Sequence, residues 1–307
     1  MSELLVILTK ALQVLVLLLL PPLLLGVINK TKALVAGRVG PPLLQGYYDL
    51  AKLMRKDSLT SRTTTWVFIA GPPITLVAMF LAGLFVPIGP HPAVVGFSGD
   101  FIVFAYFFAL ARFFVTSAAL DTGSAFEGMG AARDVTFACF AEVTLFFCLL
   151  ALANLSHSTS LSGMFGPLNA EAQLVATAPV VLVVAGMSVL LLAENSRIPV
   201  DDPNTHLELT MIHEVMILEH SGPALGVILY AASLKLFILS TLVTSLVLPA
   251  VTNPALGWLA FLVGILVLAI LIGLVESFMA RLRMSRVPAL LIAASLLAGF
   301  GFLLGVA

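Results

Sequence analysis

Long apolar stretches dominate the chain and predict helices that cross a membrane. A helix needs roughly 20 mostly apolar residues to span about 30 Å of hydrocarbon. Eight stretches meet this requirement, with approximate bounds 3–28, 66–88, 100–120, 134–155, 172–194, 223–249, 256–280 and 287–306. Lipid offers no hydrogen-bond partner to an open backbone, and the short alternating segments of a barrel do not occur in the sequence. We therefore predict an all-α polytopic membrane protein of about eight transmembrane helices, with residues 1–307 forming one transmembrane domain.

Composition supports this class. Hydrophobic residues make up 60% of the chain and charged residues 10%, whereas a soluble domain is about 25% charged. Lipid must cover the excess apolar surface. The 15 basic and 16 acidic residues nearly balance, so the net charge gives no indication of a nucleic-acid partner.

The positions of lysine and arginine predict the orientation. Basic residues occur in alternate loops, namely 29–65, 121–133, 195–222 and 281–286. The intervening loops near 89–99, 156–171 and 250–255 contain neither lysine nor arginine. By the positive-inside rule the basic loops are cytoplasmic, and both termini lie outside.

One cytoplasmic segment, Ile198 to Pro223, concentrates ionisable groups, with five carboxylates and three histidines. Asp202-Pro203 is typical of a helix start, so we predict a helix at the membrane surface that runs to about Glu219. Three interpretations remain open: a solvated or partner-contacting loop, a metal site, and the entrance of a proton relay. The metal site is disfavoured because the segment lacks an HExxH motif.

Charged residues within the spans favour the relay. Glu142 and Lys235 lie deepest, and Glu194 ends the fifth span. Ionised groups in hydrocarbon are costly, so they usually face the bundle interior and pair or relay protons. For Glu276, near Arg281, a simple interfacial ion pair is an equally good explanation.

Two further cytoplasmic segments are unusual. Gly37 to Asp57 combines a Gly/Pro turn with an amphipathic stretch, which attachment to the lipid surface alone would explain. Ala119 to Asp134 is rich in small residues and carries Asp121, Glu127 and Arg133. Small residues allow another backbone to come close, which suits a docking surface. Three such segments on one face suggest a cytoplasmic partner.

These segments also resemble a known family. "GRVGPPLLQGYYDLAKL", "LDTGSAFEGMGAARD" and "AENSRIPVDDPNTHLEL…LEHSG" are similar, in the same order, to motifs of the membrane-arm heel subunit of respiratory complex I. The likeness is closer to the counterparts of that subunit in membrane-bound [NiFe] hydrogenases, of the formate hydrogenlyase subunit 4 type. It extends from the first loop to the end of the sixth span, and eight spans is the family's number.

The resemblance implies a function. Such subunits catalyse nothing themselves; they anchor a peripheral redox module of an oxidoreductase complex and connect it to antiporter-like membrane subunits, which move protons or sodium. Together with the pattern of buried charges, it predicts the coupling residues Glu142, Glu194, Asp201, Glu208, Glu214, Glu219 and Lys235. The predicted docking or structural loop residues are Arg38, Gln45, Asp49, Asp121, Arg133 and Arg197.

The resemblance also implies partners and cofactors. The expected partners are the hydrogenase large and small subunits, iron–sulfur subunits and antiporter-like subunits, in the cytoplasmic (inner) membrane. The [NiFe] centre and iron–sulfur clusters are expected in those partners, with no cofactor bound by this chain. Asn204, His206 and His220 depart from the complex I pattern where an acidic, quinone-side cluster is expected, which argues against a quinone.

Three alternatives remain open. The chain would be a quinone-site subunit of a respiratory NADH dehydrogenase, a stand-alone cation or proton transporter, or a purely structural anchor. The absence of an internal sequence repeat argues against the transporter.

Overall fold

The computed structural model describes residues 3–165, 177–201, 211–249, 251 and 253–306, and these residues contain helices and no strand. The all-α class predicted from the sequence is confirmed. In chain order the α-helices are α1 Glu3–Leu19, α2 Pro21–Val35, α3 Gln45–Met54, α4 Trp66–Leu84, α5 Asp100–Asp121, α6 Ala125–Ser156, α7 Leu161–Met164, α8 Thr177–Glu194, α9 His213–Met216, α10 Gly222–Val247, α11 Pro254–Phe278 and α12 Val287–Val306.

Half of these helices are by themselves long and apolar enough to cross a membrane. Within the described residues six are, and the bent pair formed by α1 and α2 raises the number to seven. The remaining predicted span, 172–194, corresponds to α8, a shorter apolar helix; the first residues of that span lie outside the described part of the chain. The molecule is a multi-pass membrane protein.

The first span bends by 46° where α1 meets α2. The bend coincides with Pro21-Pro22, because proline supplies no backbone N–H for the helix ladder. Pro72 and Pro73, in contrast, lie inside a continuous α4. At the neighbouring Gly71, a Cβ would lie 2.9 Å from the Cβ of Ala118, so this glycine lets α5 pack closely on α4.

Two cytoplasmic segments differ from their predicted conformation: a predicted loop is mostly helical, and a predicted helix is mostly not within its described residues. The stretch 121–133 is helical from Ala125 onward, since its alanines favour helix and its buried face packs against residues 211–217. The helix predicted to end near Glu219 is wrong within the described residues 211–219, where only the single turn His213–Met216 forms. Ile212, Val215 and Met216 are buried there, so tertiary contacts determine this segment's conformation.

Helix α10 lies at the centre of the bundle and is the most buried of the long helices. It packs against α2, α3, α4, α8 and α11, while α12 packs against α6 and α8. Residues from these helices meet in one main hydrophobic core, which includes the fully buried Phe104, Phe237 and Phe261. The functional groups below lie between these helices.

Candidate functional site

Arg112, in the middle of α5, binds three carboxylates from neighbouring helices. Its Nη1 atom lies 2.7 Å from Oε1 of Glu142 on α6, and its Nη2 atom lies 2.5 Å from Oε1 of Glu194 at the end of α8. Its Nε atom lies 3.6 Å from Oδ2 of Asp134, also on α6. The planar guanidinium, with its five donors, suits this arrangement.

Lys235 on α10 adds a second cation. Its Nζ atom lies 3.4 Å from Oε2 of Glu194, so the Glu194 carboxylate bridges the lysine and Arg112. The Glu194 side chain is 8% exposed, whereas that of Glu142 is 47% exposed on the outer side of α6. We call Arg112, Asp134, Glu142, Glu194 and Lys235 the Arg112 network. It joins four helices through ion pairs.

A second ion-pair cluster surrounds Glu276 on α11. Its carboxylate is 2.7 Å from Nζ of Lys32 on α2 and 3.1 Å from Nη1 of Arg197, which follows α8. The Glu276 side chain is fully buried. The partners of Glu276 are therefore Lys32 and Arg197; the arginines that follow it in the sequence do not form these pairs.

Asp201 forms a related contact beside this cluster. Its Oδ1 atom lies 2.8 Å from Nη2 of Arg281, and its Oδ2 atom accepts a hydrogen bond of 2.9 Å from the backbone N–H of Ile212. Asp201 thus ties the segment after α8 to the start of residues 211–220 and to the end of α11.

A cavity of about 330 Å³ connects these groups with the first loop. Its walls come from α2–α6 and from α8–α10 and are partly apolar. Its charged and polar lining consists mainly of Gln45, Asp49, Arg112, Asp134, Glu194, Arg197, Asp201, His213, Glu214 and Lys235. Seven residues predicted from the sequence, distributed between α3 and α10, therefore meet at one cavity.

The two described histidines of the acidic segment occupy different environments. His213 lines the cavity; burial and the charge of Lys235 lower its pKa to about 4. His220 stacks on Phe68, with ring centroids 3.9 Å apart, and burial lowers its pKa to about 4 as well. Both imidazoles are therefore neutral at pH 7. The seven-residue spacing of these histidines would place them on one broad face of the predicted helix, but the two described ones lie apart, and His206 lies outside the described residues.

Other residues of this segment are held by α6. Arg133 donates from Nη1 to the carbonyl of Met211 at 2.9 Å, and the backbone N–H of Glu219 donates to Oε1 of Glu127 at 3.0 Å. Glu219 is exposed and does not line the cavity, whereas Glu127 is 1% exposed. Glu208 lies outside the described residues.

The remaining predicted docking residues lie in the first loop, on α3, and where the end of α5 meets the start of α4. Arg38 is exposed in the first loop. Gln45 donates from Nε2 to Oδ1 of Asp49 at 2.8 Å, one turn along α3. Asp121 ends α5 and accepts hydrogen bonds from the start of α4: 2.6 Å from the Thr65 N–H, 2.8 Å from the Thr65 hydroxyl and 3.3 Å from the Phe68 N–H. Asp121 therefore caps α4.

Sequence reasoning missed Arg112, Asp134 and Lys32 as site residues. Arg112 had a usable signal, since it is the only charged residue between positions 101 and 120. Asp134 lies at the predicted start of the span 134–155, where a charged residue is ordinary. Lys32 belonged to a loop in which basic residues were already explained by orientation. The partners of all three are distant in sequence.

The part of the chain that the structure describes contains no group of three or more His, Cys, Asp or Glu side chains placed to hold a metal ion. Its chemistry is that of ion pairs and neutral imidazoles around a cavity.

The fold and the site define a multi-pass helical membrane subunit with a buried charge network. The chain belongs to the family described as NADH dehydrogenase, whose sequence model matches residues 9–307. The heel-subunit resemblance is thereby confirmed.

Two relatives from Escherichia coli (strain K12) place it more closely. It is 31% identical to formate hydrogenlyase subunit 4 over 297 residues, which cover 94% of each chain. It is 29% identical to hydrogenase-4 component C over 237 residues, covering 77% of this chain and 74% of the relative.

A solved structure shows the same fold. A chain of an archaeal respiratory membrane complex, the membrane-bound sulfane sulfur reductase, superposes with a TM-score of 0.82 at 20% identity, covering 98% of this chain and 99% of that chain.

Proposed function

We propose that this chain is the membrane-anchor and coupling subunit of a complex-I-like, energy-converting hydrogenase of the formate hydrogenlyase type. It links a cytoplasmic redox module to the translocation of protons or sodium ions. Formate hydrogenlyase subunit 4, at 31% identity over nearly the whole chain, supports this branch.

The observation that carries the proposal is the cavity that leads from α3 to the Arg112 network. Gln45 and Asp49 line it beside the first loop, and Glu194 and Lys235 line it inside the bundle. Arg112 extends the same system to Glu142 on the outer side of α6. A charge change on the side of the basic loops can therefore act on a carboxylate whose side chain is 47% exposed at the surface of this chain.

The coupling mechanism is electrostatic. Reduction and proton uptake in the docked module alter protonation at Glu214 and Glu219, and at Glu208. Because charges interact more strongly where water is scarce, the altered field shifts the ion pairs of Glu194 with Arg112 and Lys235. When the pairing of Glu142 with Arg112 changes, the net charge around Glu142 changes as well. An antiporter-like subunit docked beside α6 would respond to that change.

The proposal includes location and partners. The chain lies in the cytoplasmic membrane with both termini outside, so the loops that carry Arg38, Arg133 and Arg197 face the redox module. The module's large, small and iron–sulfur subunits hold the [NiFe] centre and the clusters. The two cysteines of this chain, one buried and one exposed on α6, do not form a cluster-ligand set. A quinone stays outside the proposal because the sequence departs from the quinone-side pattern at Asn204, His206 and His220.

The test is to tag this chain, extract it mildly, and determine the co-purified subunits, nickel, iron and flavin, with an untagged strain as control. Nickel and iron together with antiporter-like subunits are expected. Iron and flavin without nickel would replace the proposal with a dehydrogenase or quinone reductase. A chain that purifies alone, and transports ions alone in liposomes, would replace it with an independent transporter.

A further inference from the structure

The charges of the Arg112 network do not balance. Arg112 and Lys235 supply two positive charges, whereas Asp134, Glu142 and Glu194 supply three negative charges when all are ionised. An uncompensated charge inside a membrane bundle is strongly unfavourable. Binding one proton makes the network neutral without any other ligand.

We propose that the network holds one exchangeable proton and that Asp134 is the carboxyl group that carries it. The inference rests on the proposed function, because it names the group that would be loaded and emptied during coupling. Neither the motifs in the sequence nor the family resemblance marked Asp134.

The geometry around Arg112 distinguishes Asp134 from the other two carboxylates. Glu142 and Glu194 lie 2.7 and 2.5 Å from the terminal guanidinium nitrogens. Glu194 also pairs with Lys235. The direct contact of Asp134 with a cation is the 3.6 Å one with the Nε atom of Arg112, and the charge of Lys235 acts on it from farther away. Since short, charge-assisted contacts favour the ionised form most, protonation of Asp134 sacrifices the least.

Asp134 also has a route for a proton. It lines the 330 Å³ cavity, and it lines a second cavity of about 20 Å³ together with Arg112 and Glu194. The smaller space suffices for about one water molecule. His213 lines the larger cavity, and its Nε2 atom is buried without a hydrogen-bond partner among the described residues. A neutral imidazole with an unused ring nitrogen suits the relay of a proton through cavity water.

The charged and titratable groups that face Asp134 come from a defined set of helices. They are Arg112 from α5, Glu142 from α6 itself, Glu194 from α8, His213 from α9 and Lys235 from α10. The larger cavity is also lined by Asp49, Arg197, Asp201 and Glu214; of these, Arg197 pairs with Glu276 and Asp201 with Arg281. Helix α12, which packs along α6, contains no ionisable side chain. Proton binding at Asp134 therefore depends on the two cations and on whether Glu142 and Glu194 stay paired with them.

The test is infrared difference spectroscopy on the purified complex without turnover. The wild-type complex is compared with Asp134→Asn, with Glu142→Gln and with Asp57→Asn, which changes an exposed loop aspartate. We expect a C=O band of one protonated carboxyl at neutral pH that shifts in ²H₂O and persists in Asp57→Asn. It should be lost in Asp134→Asn and also in Glu142→Gln, because each substitution leaves two cations with two carboxylates. Asp134→Glu provides the assignment, because it keeps the charge of the network and the band should then shift in frequency if Asp134 carries the proton.

Four results would overturn the inference. The first two are an unchanged band in Asp134→Asn, and loss of the band in Glu142→Gln but not in Asp134→Asn. The third is an unshifted band in Asp134→Glu. The fourth is loss of the band on adding sodium, which would mean that the network takes a sodium ion instead. The band is measured at rest. It can therefore be assigned to Asp134 even if the complex proves to lack nickel, and a nickel-containing complex can still lack the band.

Discussion

The Nη2 atom of Arg112 lies 2.5 Å from Oε1 of Glu194, so the last residue of α8 is bound to the middle of α5. We expect Arg112→Met to lower the stability of the chain by about 3–5 kcal/mol, because it leaves the buried carboxylate of Glu194 without its main cation. The stability of Arg112→Lys should lie between those of the wild type and Arg112→Met. An ammonium group keeps the positive charge, but it cannot bridge three carboxylates. The melting temperature (Tm) of the purified protein in detergent measures the effect.

Arg62→Met provides the matched control for this substitution. Arg62 is exposed in the loop before α4, so its loss should leave Tm unchanged. Equal Tm values for Arg112→Met and Arg62→Met would show that the network does not stabilise the bundle.

Glu142→Gln should abolish ion pumping and leave hydrogenase or dye reduction largely intact. Glutamine keeps the size of the side chain and removes the charge that responds to Arg112. Proton or sodium uptake into inverted membrane vesicles, measured beside the redox rate, separates the two activities. Glu3→Gln, at an exposed position at the start of α1, should pump normally. Normal pumping by Glu142→Gln would remove this residue from the coupling mechanism.

His220 predicts a loss of stability in acid. Its pKa is about 4 in the folded protein and about 6.5 in an unfolded chain. Between these values the unfolded chain binds a proton that the folded chain refuses, so stability is greatest above pH 6.5 and falls as the pH decreases toward 4. His220→Gln should make Tm in detergent less dependent on pH over this window.

His157→Asn provides the comparison for His220, because His157 is exposed at the end of α6. Its removal should leave the pH dependence of Tm unchanged. If His220→Gln had no more effect than His157→Asn, the buried imidazole of His220 would not be the group responsible.

Gly130 on α6 allows residues 211–217 to pack against the helix. A Cβ there would lie 2.3 Å from Cγ1 of Val215 and 3.0 Å from the carbonyl oxygen of Ile212. We expect Gly130→Ala to destabilise the protein by about 1–3 kcal/mol, because either the segment or the helix must move. At Gly128 the nearest atom is 4.0 Å away, so Gly128→Ala should be neutral or stabilising by up to about 1 kcal/mol. The pair of Tm values tests the packing, and equal values would contradict it.

Asp121 provides a test of the contact between α4 and α5. Asp121→Ala removes an acceptor from the Thr65 N–H, the Thr65 hydroxyl and the Phe68 N–H, and should lower stability by about 1–2 kcal/mol. Asp121→Asn keeps one acceptor oxygen and should lose less. A drop in pumping greater than the loss of assembled complex would instead indicate the docking function predicted for this residue.

The long apolar helices could be predicted because their signal is local. The expected span 66–88 corresponds to α4, Trp66–Leu84, and 223–249 corresponds to α10, Gly222–Val247. Hydrophobic content over about 20 residues is sufficient for such predictions. Hydrophobic content could not predict the short helix at His213–Met216. Burial of Ile212 and Val215 against α6 overrides the local preference there.

The charged residues of the site were predictable as types but not as pairs. Glu142, Glu194 and Lys235 stood out because ionisable groups are rare in apolar spans. Their common partner Arg112 remained unassigned, because nothing local indicates that α5, α6 and α8 meet at that depth. Glu276 shows the same limit, since Arg197 lies 79 positions before it in the chain.

The Glu276 cluster has a consequence for biogenesis. Lys32 and Arg197 are synthesised before α11, and the carboxylate that pairs with both arrives only with that late helix. Until then, the two cations must stay near the lipid headgroups or a chaperoning protein. The early helices can therefore enter the bilayer in sequence, but they can settle into their final packing only after α11 has left the ribosome.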